Sequence, residues 1–382
     1  VVDRLAPLSG AISRNRYSLT VYGYSRALYL LIAALDALVR HWPLWRALRN
    51  WDGKWYVLTA ETGYPHVIHH YYTTLGFMPL YPLLIRPLAL LWPGTGYVPA
   101  GFGIALVTGG IAVVLIGRLA ERWWGEEAAR RSVLFLCLFP GSIVFSMVYS
   151  EGPMLALVAG CLLALEDRRW LLAGVLAGAC TAIEPVALAI IPACAAVAGR
   201  EIVREGWRGR RALLAPLLAP AGAAAFAVFL WFWVGTPLAT YDAQRYAWKE
   251  TSSPGLGLVR AGRTFVQEIE GFRNVHTTPL NMNYPAGILG ACFLVWALWL
   301  LWRRRTLVSL GALVWTAGVA LLTLTSNSTP PNPRLLLCAF PATIAVAASR
   351  RTESSWRWLI VITLILTVVM SIDTYVGSGL RP

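Results

Sequence analysis

Residues 288–302 read ILGACFLVWALWLLW and residues 358–372 read WLIVITLILTVVMSI, and neither stretch carries a charge. With its flanks, each reaches the roughly 20 apolar residues that a helix needs to cross a bilayer. In lipid a segment must pair its own backbone N–H and C=O groups, so only helices and closed barrels span. Barrel strands are about 10 residues long and alternate in polarity, which these runs do not, so they read as helices. The rest of the chain has the same character. Of its 382 residues, 57% are hydrophobic and 14% charged, against about 25% charged in soluble domains. A soluble core could not enclose that much apolar surface. The expectation is an all-α polytopic membrane protein, with residues 1–382 forming one transmembrane domain and membrane lipids as solvent.

The net charge is +14. In a soluble protein this would suggest nucleic acid. Here the cations fall between apolar segments, the pattern of membrane topology, so no nucleic-acid partner is expected. Lys54 and Lys249 are the lysines and the remaining cations are arginine, which reads as coding bias. The six cysteines lie in apolar stretches without CxxC or metal spacing and read as small buried hydrophobes. The first apolar run lacks a cleavage pattern and is expected to stay as the first helix.

Spans are expected near 23–40, 98–117, 132–149, 151–165, 170–182, 184–198, 212–234, 285–302, 306–324, 334–348 and 357–375. The cationic connectors are Arg118–Arg131, Asp167–Arg169, Arg200–Arg211, Trp302–Arg305 and Arg350–Arg357, with Arg4, Arg14 and Arg16 ahead of the first span. The positive-inside rule puts them all on the cytoplasmic side. About eleven transmembrane helices satisfy it, provided that 75–92 does not span. Prolines at 79, 82 and 87 and Arg86 interrupt that segment, which reads as an interfacial or re-entrant helix on the outer leaflet. Three outer loops result, about 41–97, 235–284 and 325–333, and loops of this length are usually functional. The cell membrane is the expected location, with the active face extracytoplasmic.

The polar chemistry collects in those loops. Asp52 lies in Trp51-Asp52-Gly53-Lys54-Trp55-Tyr56. A carboxylate among aromatic faces can serve as base to a sugar hydroxyl, and Asp is equally apt as the cap of a helix beginning at Gly53. Glu151 and Glu184 sit at the outer ends of helix pairs. Either they are functional groups at membrane depth or they face water and cap their turns. Asp36, inside the first helix, is expected to pair with an arginine of a neighbouring helix. His66, His69 and His70 cluster without an H-E-x-x-H pattern or nearby acids, so sugar or phosphate contact, or plain loop packing, is favoured over metal. Arg334 opens a helix and opposes its dipole. Its compensating partner is either a phosphate, which guanidinium binds bidentately, or an acid such as Glu151. The loop aromatics Trp51, Trp55, Tyr56, Tyr71, Tyr72, Tyr246 and Trp248 suit an interface belt and sugar stacking alike.

At these residues the sequence resembles the bacterial relatives of the PIG-V family of mannosyltransferases. The matching pieces run in order: Trp51–Tyr56 with Glu61-Thr62-Gly63-Tyr64, Phe77–Pro82, Phe139-Pro140, Tyr149-Ser150-Glu151, Leu172-Ala173-Gly174 leading to Thr181, Gly235–Ala239 with Gln244 and Trp248, and Arg334 before Phe340-Pro341. The resemblance implies a GT-C-type fold, a polyprenyl-phosphate mannose donor and a lipid-linked glycan or glycolipid acceptor. It makes Asp52 the catalytic base and Tyr149, Ser150, Glu151, Gln244, Trp248 and Arg334 substrate-binding residues of the cavity. Lys54, Trp55, His69, His70 and Glu184 join them as candidate substrate contacts. The expected reaction is an inverting displacement with no cofactor, no required metal and no obligate protein partner. One departure stands out: where the family leads one to expect an arginine after Thr181, this chain has Ala182-Ile183-Glu184-Pro185. Two alternatives remain open on the sequence, a lipid or glycolipid flippase and a transferase of another polyprenyl-phosphate sugar.

Overall fold

The computed structural model describes residues 15–68, 71–91, 96–252, 254–275, 281–327, 330–350, 352–376 and 379–382. Its helices, in chain order, are α1 (Arg16–Val39), α2 (Leu44–Leu48), α3 (Gly53–Thr62), α4 (Leu80–Leu90), α5 (Tyr97–Trp124), α6 (Glu126–Leu138), α7 (Glu151–Glu166), α8 (Trp170–Thr181), α9 (Ile190–Glu205), α10 (Leu214–Leu218), α11 (Ala221–Val234), α12 (Ala239–Asp242), α13 (Leu256–Val275), α14 (Asn283–Arg303), α15 (Leu310–Thr325), α16 (Pro333–Cys338), α17 (Phe340–Ala348) and α18 (Glu353–Val376). Among the described residues the one β interaction is an isolated bridge between Ser252 and Ser326.

The expected spans fall on helical segments, but several are short or broken: α8 has 12 residues, α15 has 16, and 334–348 is divided between α16 and α17. Arg16–Val39, Tyr97–Trp124, Pro185–Leu218, Asn283–Arg303 and Glu353–Val376 are long and apolar enough to cross a membrane. The third of these turns back on itself: Gly206 has φ 59° and Gly209 lies against the Glu201 carbonyl, so α9 is followed by a return at the cationic connector. Two further stretches are bent pairs, α6 with the 3₁₀ segment Pro140–Ser146 at 72° and α11 with residues Ala239–Ala247 at 81°. The expected unbroken span 132–149 is therefore corrected. Pro140 brings no N–H and cannot continue an α-helix, and the chain turns there. α4 has 11 residues, about 16 Å of helix, too short to cross. Tyr81 ties it to α5 through the Gly101 carbonyl at 2.8 Å, and the Leu80 N–H binds the Ala182 carbonyl at 2.8 Å. The expected outer loop 235–284 is also corrected in part, since α13 fills much of it.

The core lies where α1, α5, α6, α7, α15 and α17 meet. Small residues let the backbones approach, as in other membrane bundles: Gly109 and Gly110 of α5 accept Tyr22 and Phe145, and Gly152 of α7 lies on the Ala105 carbonyl. Outward faces are apolar instead of polar, with Leu31, Leu35 and Leu38 on α1 and Ile362, Ile365 and Val369 on α18 exposed. One cation sits deep within. Arg26 is 3% exposed and donates to the carbonyls of Cys137 and Ser142 and to the hydroxyls of Ser142 and Ser146. Its guanidinium also lies 4.5 Å from the Tyr29 ring centre and 5.0 Å from that of Tyr22. The last carbonyls of a helix lack intrahelical partners, and the Pro140 break exposes such carbonyls inside the core. Arg26 satisfies them and fixes the bend.

Charged residues mark one end of the bundle. Arg122 pairs with Glu166 and Asp167, Arg131 with Glu127 and Glu353, and Arg168 with Glu201 and Glu205. Glu151 and Glu166 bound the 16-residue α7, so about 22 Å of helix separates that end from the one bearing Glu151. The expected partner of Asp36 is corrected too: it pairs with Arg40 one turn on in its own helix, at 2.9 Å.

Candidate active site

Four segments distant in sequence meet at the Glu151 end: the turn before α3, residues 147–151 leading into α7, the turn after α8, and the start of α16. Backbone bonds fix the first two together, since the Val148 N–H donates to the Leu48 carbonyl at 2.9 Å and the Asp52 N–H to the Tyr149 hydroxyl at 3.1 Å. Trp51 adopts φ 58°, a left-handed conformation that costs a bulky residue roughly 1–3 kcal/mol. Its indole N–H binds the Thr374 carbonyl at 3.0 Å and the neighbouring Asn50 amide binds the Tyr375 carbonyl at 2.7 Å. The twist at Trp51 turns Asp52 inward.

Asp52 precedes α3 but does not cap it with its side chain. Its Oδ2 instead accepts a 2.6 Å hydrogen bond from Arg334 Nη1. The same guanidinium sets Nε 3.3 Å from Glu151 Oε1, a charge contact without hydrogen-bond geometry, for both Glu151 oxygens and Arg334 Nε lack hydrogen-bond partners. Glu151 has no exposed side-chain surface, Arg334 18% and Asp52 27%. Arg334 also lies 5.5 Å from the Tyr149 ring centre. Two local features hold it there. Asn332 caps α16 by accepting from the Leu335 N–H at 2.9 Å, with Pro333 in the first helical position. Gly141, just past the Pro140 break, packs so closely on the Pro333 carbonyl that a Cβ would collide with it.

Beside this trio stands a second one. Glu184 Oε1 accepts from the Tyr56 hydroxyl at 2.9 Å and, in a very short contact, from Ser150 Oγ, and the two hydroxyls are 2.7 Å apart. Neither Glu151 nor Glu184 faces water or caps a helix, so that simpler reading of the two acids is set aside. In the sequence Tyr56 read as a motif residue and a loop aromatic, and the role of its hydroxyl on Glu184 was missed. Its signal is the spacing of four from Asp52, which puts both on one face of a helix.

Aromatic rings wall the site. Trp248 lies 5.3 Å from Trp55, 4.7 Å from Tyr72 and 5.4 Å from Phe77 between ring centres. The π-turn Ala243–Ala247 places Gln244 and Trp248 together, as such turns often do at functional sites. Both brace the backbone of 73–77: Gln244 Nε2 donates to the Gly76 carbonyl at 2.9 Å and Trp248 Nε1 to that of Thr73 at 3.3 Å. Lys54 is exposed, its ammonium 5.7 Å from the Trp55 ring centre. His66 stacks on Trp233 at 4.0 Å, while His69 and His70 lie outside the described residues. Among the described residues no group of three or more His, Cys, Asp or Glu is gathered to hold a metal.

No family model matches the chain. It is 29% identical over 113 residues to GPI mannosyltransferase 2 of Drosophila pseudoobscura pseudoobscura, a match covering 27% of this chain and 24% of that protein. Thus the match spans about a quarter of the curated relative. Two solved structures share the architecture. ArnT of Cupriavidus metallidurans bound to undecaprenyl phosphate superposes with a TM-score of 0.51 at 17% identity, covering 89% of this chain and 63% of that one. The Archaeoglobus fulgidus oligosaccharyltransferase tethered to an acceptor peptide gives 0.50 at 12% identity, covering 97% and 56%. The chain is a multi-pass membrane protein that shares the GT-C-type fold of these two structures.

Proposed function

We propose that this chain transfers a sugar, mannose by the motif resemblance, from a polyprenyl-phosphate carrier to a lipid-linked glycan or glycolipid acceptor on the extracytoplasmic face. The observation that carries this is the Asp52–Arg334 pair backed by buried Glu151. A carboxylate suited to take a proton stands against a guanidinium suited to hold a phosphate, at the end of the bundle away from the cationic connectors. The partial match to a mannosyltransferase and the fold shared with ArnT, solved with undecaprenyl phosphate, support the donor class.

In this mechanism the donor phosphate draws Arg334 off Asp52, since guanidinium and phosphate pair bidentately. Glu151 stays behind the guanidinium and keeps it oriented. Asp52 Oδ2, now free, accepts the proton of the acceptor hydroxyl. The hydroxyl oxygen forms its bond to the anomeric carbon as the carbon–oxygen bond to the phosphate breaks. The electron pair departs on the polyprenyl phosphate, where Arg334 meets the developing charge. A single displacement inverts the anomeric centre. Glu184, held by Tyr56 and Ser150, is placed to accept hydroxyls of the transferred sugar or the acceptor. The rings of Trp55, Tyr72 and Trp248 offer faces for the pyranose and the first isoprene units. Transport fits less well. The site acids Asp52, Glu151 and Glu184 gather at one end, and the deep cation Arg26 is tied to backbone carbonyls.

The test is transfer by purified protein in lipid from a panel of polyprenyl-phosphate sugars, with the product linkage read by mass spectrometry and NMR. Mannose transfer with inversion is expected, persisting in chelator, and Asp52→Asn lowers it by about 10²- to 10⁴-fold without loss of fold. Near-normal transfer in that variant would remove Asp52 as base. Transfer of a different sugar would change the donor, and activity abolished by chelator and restored by a divalent ion would call for a metal.

A further inference from the structure

A polar pocket opens next to the Asp52–Arg334 pair and takes no part in the steps above. Asn281, Asn283 and Tyr284 at the start of α14, Asn332 and Pro333 ahead of Arg334, and Arg381 line it. These residues come from three separate segments; Gly287 and Gly290 of α14 pack against Pro330 and Pro331, and hydrogen bonds staple the other two segments together. Asn283 Nδ2 donates to Asn281 Oδ1 at 2.8 Å and to the Gly379 carbonyl at 3.1 Å, and Asn283 Oδ1 accepts from the Arg381 N–H at 2.9 Å. The Leu380 N–H binds Asp373 Oδ2 at 2.7 Å, which fastens residues 379–381 to the end of α18. The pocket adjoins the reacting groups through their chain neighbours. Pro333 joins it directly to Arg334. Arg381 holds its guanidinium 6.0 Å from the Trp51 ring centre, and Trp51 adjoins Asp52.

The Asn281 amide, the Tyr284 hydroxyl and the Arg381 guanidinium offer hydrogen-bonding groups beside one aromatic ring, and such a set matches carbohydrate, whose ring carries hydroxyls around its edge and C–H bonds on its faces. We propose that this pocket seats the carbohydrate headgroup of the acceptor and presents one of its hydroxyls to Asp52. This inference rests on the transferase reading for the word acceptor, while the binding of sugar can be measured without it. It divides the site into two sides. Arg334, Glu151 and the aromatic wall hold the donor, and the Asn281–Tyr284 turn with Arg381 holds the acceptor.

Two measurements test it. In steady-state transfer, Arg381→Gln and Tyr284→Ala raise the KM for acceptor about tenfold each, the equivalent of one hydrogen bond or ring contact, and leave the donor KM unchanged. An unmoved acceptor KM, or equal movement of both, would overturn the assignment. Separately, methyl α-D-mannoside is titrated against the full chain in nanodiscs and read by saturation-transfer NMR. Binding is expected for the wild type and for Asp52→Asn, and loss of at least about tenfold in affinity for the Arg381→Gln/Tyr284→Ala double variant. Absent binding to the wild type, or equal binding to the double variant, would sink the pocket. Sugar bound there with no transfer from any donor would instead sink the transferase reading and leave the pocket standing. The more conservative Arg381→Lys, which preserves charge, recovers part of the affinity if the double variant proves poorly folded.

Discussion

A carboxylate cannot act freely as base while a guanidinium holds the oxygen that must take the proton. In this chain Arg334 holds Asp52 at 2.6 Å, so under the proposed transfer the base is masked at rest and the donor phosphate competes for the arginine. The expected outcome is counterintuitive for an inactivating substitution. Asp52→Asn removes both the competing anion and its repulsion of phosphate, so polyprenyl phosphate should bind about tenfold tighter to the inactive variant, measured in nanodiscs by isothermal titration. Equal or weaker binding would show that Arg334 does not exchange partners. Asp52, Glu151 and Arg334 were each nameable from the sequence as ionisable groups at the outer ends of helices. Glu151 was also nameable as a partner of Arg334, and the two do pair; the pairing of Asp52 with Arg334 was not nameable, because 282 residues separate them. Local reading therefore gave Asp52 a second role as a helix cap, which its side chain does not fill. Glu184 read as a charge reversal of the motif. Its structural sense lies in the hydroxyls of Tyr56 and Ser150, which a carboxylate can accept together.

The elements that shape the site are broken ones. The Pro140 bend sends the chain across the core, Arg26 satisfies the carbonyls it frees, and Gly141 lets the Pro333–Arg334 backbone close on it. Gly141→Ala should therefore push the start of α16 away and misplace Arg334, since a Cβ there meets backbone and not a side chain that can move. Overpacking of this kind costs about 1–3 kcal/mol, and a displaced Arg334 should lower transfer by at least about tenfold. Gly103→Ala on α5, where a Cβ meets nothing within 4 Å, serves as the matched control and should be neutral or slightly stabilising. Thermal unfolding and transfer rate for the two variants decide it, and equal behaviour would deny Gly141 its role. The spans themselves were legible because long uncharged runs have few other uses. The bend at Pro140 was not, since an apolar run of 132–149 conceals it. Helix α13 escaped as well. Its apolar Leu256, Val259, Val266 and Ile269 are interleaved with Arg260, Arg263, Glu268 and Glu270, so a search for membrane spans passes over it.

At the scale of the whole molecule, the distribution of charge argues for one orientation of the site across the membrane. The paired cations of Arg122, Arg131 and Arg168 lie a helix length from Glu151. These surface pairs contribute little to stability, with exposed ion pairs worth about 0–1 kcal/mol. Their weight is in orientation, because arginine-rich connectors are retained on the cytoplasmic side during insertion. If that rule governs this chain, the Asp52 end faces outward, where lipid-linked sugars would be met after their carriers cross the bilayer. Single cysteines test this in intact cells. Glu61→Cys, exposed near the end of α3, and Ser354→Cys, exposed in the Arg350–Arg357 connector, are introduced in a Cys292→Ser background. Of the native cysteines Cys292 is exposed and the other five are buried. A membrane-impermeant maleimide should label Glu61→Cys directly and Ser354→Cys only after permeabilisation. The opposite pattern would turn the active face to the cytoplasm and require a donor made and consumed on that side. Labelling of both positions in intact cells would mean that one connector crosses the bilayer, and the short α4 would be the first segment to re-examine as a span.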